Sequence, residues 1–133
     1  MKFILIMFLI AFSMINANAK DKANIKYDIL YFHATLRCAE CMKIEEFTKN
    51  TLNFTFEKEL KNNKFNFQSL DFLEPENEHF QTDYKFDNQT LIISKKVKGK
   101  EVKWKNIDKV WDKLRDFEEF KKYLESEISE FIK

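Results

Sequence analysis

IKYDILYFHATLRCAECMKIEEF, Ile25 to Phe47, carries both cysteines of the chain, Cys38 and Cys41. Its first part predicts a β-strand. Ile25, Tyr27 and Ile29 alternate with Lys26 and Asp28, and the alternation then gives way to the unbroken run Ile29–Phe32. That pattern belongs to a central strand buried on both faces. Thr35-Leu36-Arg37 is the connection. A helix is expected from about Ala39 to Lys61, with Ile44, Phe47 and Thr51 at helical spacing and Leu60 extending the apolar face. NTLNFT, residues 50–55, is poor helix material and marks a place for a kink or frayed turn.

Beyond this segment, KNNKFNFQSLDF predicts a second strand, with Phe65 and Phe67 alternating with Asn66 and Gln68. Pro75, the only proline, is expected to open a short helix that runs to Tyr84. TLIISKKVKGKEVKWKNI reads as a hairpin whose turn is Lys98-Gly99-Lys100 and contains the only glycine. Val102 and Trp104 are expected on one face of its return strand. The C-terminal part is helical in two pieces. Val110, Trp111 and Leu114 make the first; Phe117, Phe120, Leu124, Ile128 and Phe131 line the second. Asp116 is expected to be the N-cap of the second piece, with Glu119 completing a capping box. The order is strand, long helix, strand, short helix, strand, strand, helix. It predicts an α/β fold with one mixed sheet of about four strands flanked by helices.

The N-terminal end has a different character. Lys2 is followed by the charge-free, almost wholly apolar run Phe3–Phe12, and Ala17-Asn18-Ala19 has the small-x-small form of a cleavage site. Residues 1–19 are therefore expected to be a secretory signal peptide, with export to a bacterial periplasm. Removing the first 19 of 133 residues leaves 114, enough for one domain, residues 20–133. Lys2 is the only charge removed, so the remainder balances 22 basic against 22 acidic residues. Neutral balance and the lack of a basic stripe argue against nucleic acid as a partner; the lysines of KKVKGKEVKWK fit a solvated hairpin. The expectation is a soluble monomer with an unidentified redox partner or protein substrate.

Export decides how the cysteines are weighed. Disulfides persist outside the cytosol, but a bond between cysteines three positions apart closes a tiny loop and constrains little chain. Such a pair is better suited to chemistry than to stapling. Cys38 stands where a strand has ended and a helix begins, near unsatisfied N–H groups and the positive end of the helix dipole, which favour a thiolate. Arg37 adds a positive neighbour, whereas Glu40 opposes it. Cys41, one turn on and facing inward, is placed to attack a mixed disulfide at Cys38. Cys38 is thus the expected nucleophile and Cys41 the resolving thiol.

Two other readings stay open. Cys38 and Cys41, with His33 as a third ligand, suit a soft metal such as copper, or arsenite on the two thiols; otherwise no cofactor is expected. Alternatively the disulfide is inert and the domain is an interaction module. Tyr31 is read as core and Glu45 as a solvated helix residue.

The order of elements around Cys-x-x-Cys resembles the thioredoxin-like superfamily. YFHATLRCAECMKIE, EPENEHFQTDY and GKEVKWKNIDKVWD further resemble a small bacterial family labelled nitrophenyl-compound nitroreductase subunit, ArsF type. The resemblance covers about Tyr27 to Lys133. It implies a thioredoxin-like fold with the CxxC at the N-terminus of the first long helix, and attacking and resolving roles for Cys38 and Cys41. The nitroreductase label is not taken over as an activity, since no segment of the sequence is suited to flavin. Where thioredoxins have a cis-proline beside the thiols, this chain has Asn88-Gln89-Thr90, so the resemblance brings Thr90 to that place.

Overall fold

The computed structural model describes residues 24–133; the expected signal peptide lies outside them. Among the described residues no helix is long and apolar enough to cross a membrane. The elements are β1 (Ile25–His33), α1 (Ala39–Thr55), α2 (Glu57–Lys61), β2 (Phe65–Asp71), α3 (His79–Asp83), β3 (Thr90–Val97), β4 (Lys100–Asn106), a 3-10 helix (Asp108–Lys113) and α4 (Phe117–Phe131).

The sheet order is β2-β1-β3-β4. β1 pairs parallel with β2 and antiparallel with β3, and β3 pairs antiparallel with β4. A parallel pair needs a long crossover, and α1 with α2 supplies it. β1 is central, as its apolar run requires. On one face Tyr27, Ile29 and Tyr31 join Leu91 and Ile93 against Ile44 and Leu52 of α1 and Phe120, Leu124, Ile128 and Phe131 of α4. On the other face Leu30, Phe32 and Ile92 meet Phe72, Tyr84 and Phe86 from the segment around α3. Phe32 is fully buried and stacks on Phe86 at 4.8 Å between ring centres.

The expected long helix is two helices. It breaks at Phe56, whose side chain is buried and lies 5.3 Å from the Phe65 ring. Two features favour the break. Thr51 donates its hydroxyl to the Phe47 carbonyl one turn back, at 2.8 Å, a bond that bends helices. Turning the chain also lets Phe56 enter the core. The helix after Pro75 is shorter than expected: residues 74–78 are turns, and only His79–Asp83 is α-helical. The first C-terminal piece is a 3-10 helix, and the second is α4 as expected. The hairpin turns on Lys98 and Gly99, both at positive φ (52° and 80°), between paired Val97 and Lys100. Two-residue hairpins favour such left-handed turns because they match the strand twist. Trp104 is half-buried against Tyr84, whereas Val102 is 58% exposed.

Candidate redox site

β1 ends at His33, and residues 34–38 carry the chain from the sheet to the start of α1. Cys38 is the N-cap of α1, with extended backbone (φ −81°, ψ 165°). Its Sγ accepts a hydrogen bond from the Cys41 N–H at 3.1 Å. A cysteine sulfur therefore takes the capping role usually filled by a serine or aspartate oxygen. Cys38 and Cys41 form a disulfide with Cα atoms 5.0 Å apart. The two cysteines are not equivalent: Cys38 is exposed, whereas Cys41 is 1% exposed. A reagent from solvent thus meets the sulfur at the helix terminus. After reduction, a thiolate on Cys38 faces the N–H that already donates to it, where the helix dipole favours negative charge.

The surroundings are polar and tightly connected. Tyr31, fully buried on β1, donates its hydroxyl to the Cys41 carbonyl at 2.8 Å. Arg37 lies over the Tyr31 ring, 5.8 Å from its centre, and approaches the Glu45 carboxylate of α1 at 2.5 Å. This is a charge contact and not an aligned hydrogen bond, for the buried Arg37 Nε and Nη2 find no acceptor in hydrogen-bond geometry. Glu45 also takes Lys49 at 2.5 Å and the Ser69 hydroxyl of β2 at 3.0 Å. Burial works to raise its pKa, but contacts from Lys49, Arg37 and Ser69 outweigh it and hold the carboxyl at about 2. Burial pushes the Tyr31 hydroxyl up to about 12, against the pull of Arg37. Neither group is a proton acceptor at neutral pH.

The other expected residues fall as follows. Glu40 is exposed in the first turn of α1. With Ala39, Lys43, Leu114 and Arg115 it lines a shallow groove of about 330 Å³. His33 is half-buried; its Nδ1 lies 2.9 Å from the Ala34 carbonyl and its ring 6.0 Å from that of Tyr31. With the cysteines joined, no three His, Cys, Asp or Glu side chains stand together as metal ligands among the described residues. Thr90 opens β3 opposite Phe32, at the same end of the sheet as the cysteines, and donates its hydroxyl to Asn106 Oδ1 at 2.9 Å. Glu45 is not the solvated helix residue expected: its side chain is 13% exposed and at the centre of the ionic cluster. Nothing in the helical spacing marks this role, which comes from the loop folding Arg37 back over α1.

A central β1 beside parallel β2, an antiparallel hairpin on the other side, and a CxxC disulfide at the start of the crossover helix together define the architecture. The fold is thioredoxin-like. No protein-family model matches the chain, and no curated protein matches it either. The site has redox-capable chemistry, read from its own geometry.

Proposed function

We propose that the chain is an exported thiol–disulfide oxidoreductase working through Cys38 and Cys41. The observation that carries this reading is the asymmetry of the pair: an exposed cysteine whose sulfur caps a helix N-terminus, bonded to a buried cysteine. In the reducing direction, the Cys38 thiolate attacks one sulfur of a substrate disulfide. The substrate S–S bond breaks, and its second sulfur leaves as a thiolate that takes a proton from water. The Cys41 thiolate, its own proton passed to water, then attacks the Cys38 sulfur. The mixed disulfide breaks, the remaining substrate thiolate leaves, and the Cys38–Cys41 bond forms. Two electrons have passed from protein to substrate, and a dithiol donor must restore the pair. In the oxidising direction the same steps run backwards from a substrate dithiol.

Export rests on the leader-like residues 1–19, and periplasmic action on the persistence of disulfides there. Kinship with the ArsF-type family belongs to the same proposal and rests on the three quoted stretches; it adds no nitroreductase activity.

The test is the equilibrium of Cys38–Cys41 in glutathione buffers, using metal-free mature protein and mass spectrometry of trapped thiols. A pair that titrates within the range of known exchange catalysts, about −120 to −270 mV, supports the proposal. A far more reducing pair, or one that never reacts, overturns it. Stoichiometric copper or arsenite capture by the reduced pair, weakened by His33→Ala, would then favour metal binding.

A further inference from the structure

The ionic cluster beside the disulfide has no part in the exchange steps, yet it holds the residue next to the nucleophile. Arg37 precedes Cys38 directly, and its buried Nε and Nη2 lack aligned acceptors. The cation is nevertheless kept in place, and the group that keeps it is Glu45, at 2.5 Å. Glu45 is itself anchored from two sides, by Lys49 on its own helix and by Ser69 on β2. Tyr31 lies under the guanidinium and binds the Cys41 carbonyl. The cluster thus joins β1, β2, α1 and the loop entering the disulfide.

We infer that Glu45 is a positioning residue that sets the redox equilibrium of the Cys38–Cys41 pair, by fixing Arg37, the residue directly before Cys38, and cancelling its charge. An uncancelled guanidinium would stabilise the Cys38 thiolate and favour the reduced state. With Glu45 in contact, stabilisation of the thiolate is left mainly to the Cys41 N–H and the helix terminus. Glu45 without Arg37, balanced only by the exposed Lys49, would act in the opposite sense. This deepens the thiol-exchange proposal and rests on it for its biological meaning, but the equilibrium itself is measurable whatever the substrate.

The experiment is a double-mutant cycle on the full mature protein, read in glutathione buffers at pH 7. Glu45→Gln keeps the shape and removes the charge; it is expected to shift the equilibrium about fivefold toward the dithiol, the weight of one partly screened charge. Arg37→Gln leaves Glu45 with Lys49 as its remaining cation, half-exposed on the far side of the carboxylate, and is expected to shift the equilibrium more weakly toward the disulfide. The double variant returns close to wild type. Shifts of opposite sign that cancel support the inference. Shifts of one sign, or unchanged equilibria in folded variants, overturn it, even where thermal stability falls. If Glu45→Gln does not fold, Arg37→Gln decides: a shift toward the disulfide, reversed by Arg37→Lys, supports the inference, and no shift overturns it. A wild-type pair outside the exchange range instead defeats the functional proposal, whatever the variants do.

Discussion

Tyr31 and Cys41 are joined by a hydrogen bond of 2.8 Å, from the phenolic hydroxyl of the central strand to the backbone carbonyl of the buried cysteine. The bond fixes the first turn of α1 to the floor of the sheet. Tyr31→Phe keeps the ring and removes the donor. Its expected cost is about 1 kcal/mol, the net worth of one intramolecular hydrogen bond. Urea unfolding of the oxidised protein checks this; an unchanged midpoint at equal slope would show that the bond carries no weight.

Glu45 gives the site a pH dependence of definite sign. Its carboxyl sits at about 2 in the folded chain against an ordinary 4.5. A lowered acid pKa contributes stability that is present above pH 4.5 and is lost as the pH falls toward 2. Between pH 5 and pH 3 the wild type should therefore lose up to about 2 kcal/mol through this group. Glu45→Gln cannot lose it. Unfolding midpoints of both proteins at the two pH values test the expectation, and parallel losses would defeat it.

The readable parts of this molecule are those set by local pattern. The apolar run of β1, the alternation around Phe65 and the turn at Gly99 each express burial or backbone geometry within a few residues. The break at Phe56 was only half legible: NTLNFT signalled weak helix, but the pull of the Phe65 ring comes from a later strand. The segment after Pro75 misled because proline starts turns as readily as helices. The disulfide position followed from the strand-to-helix order. Glu45 did not, since its partners Arg37 and Ser69 meet it only after the loop folds back and β2 takes its place beside β1. Charge pairing across elements leaves no period in a sequence.

The capping aspartate of α4 was legible and is directly testable. Asp116 accepts the Glu119 N–H at 2.9 Å, while the Glu119 side chain turns to Lys113 instead of closing the reciprocal half of the box. Only one bond of the motif is therefore at stake. Asp116→Ala is expected to cost about 1 kcal/mol, or a fall in melting temperature of about 4 °C for a domain of this size. Since α4 supplies Phe120, Leu124, Ile128 and Phe131 to the core, the loss should appear in global unfolding and not as local fraying. Thermal denaturation followed by circular dichroism measures it, and an unchanged melting temperature would mean that the cap is dispensable.

The unequal exposure of the two cysteines makes the sharpest chemical prediction. In reduced Cys41→Ala, only Cys38 remains, at the surface and at the helix terminus. Its thiolate should attack glutathione disulfide, release one glutathione as thiolate and keep the other, because no resolving thiol can break the new bond. Reduced Cys38→Ala leaves only a buried thiol, shielded as Cys41 is in the folded chain (1% exposed). It should acquire glutathione at least about tenfold more slowly, as reactivity follows exposure and thiolate character. Intact-mass spectrometry over time reads both adducts. Equal rates would mean that the fold does not distinguish the two sulfurs, and the assignment of Cys38 as nucleophile would fall. Rates that differ as expected, but vanish on unfolding in urea, would tie the difference to the strand-to-helix junction and not to the order of the two cysteines along the chain.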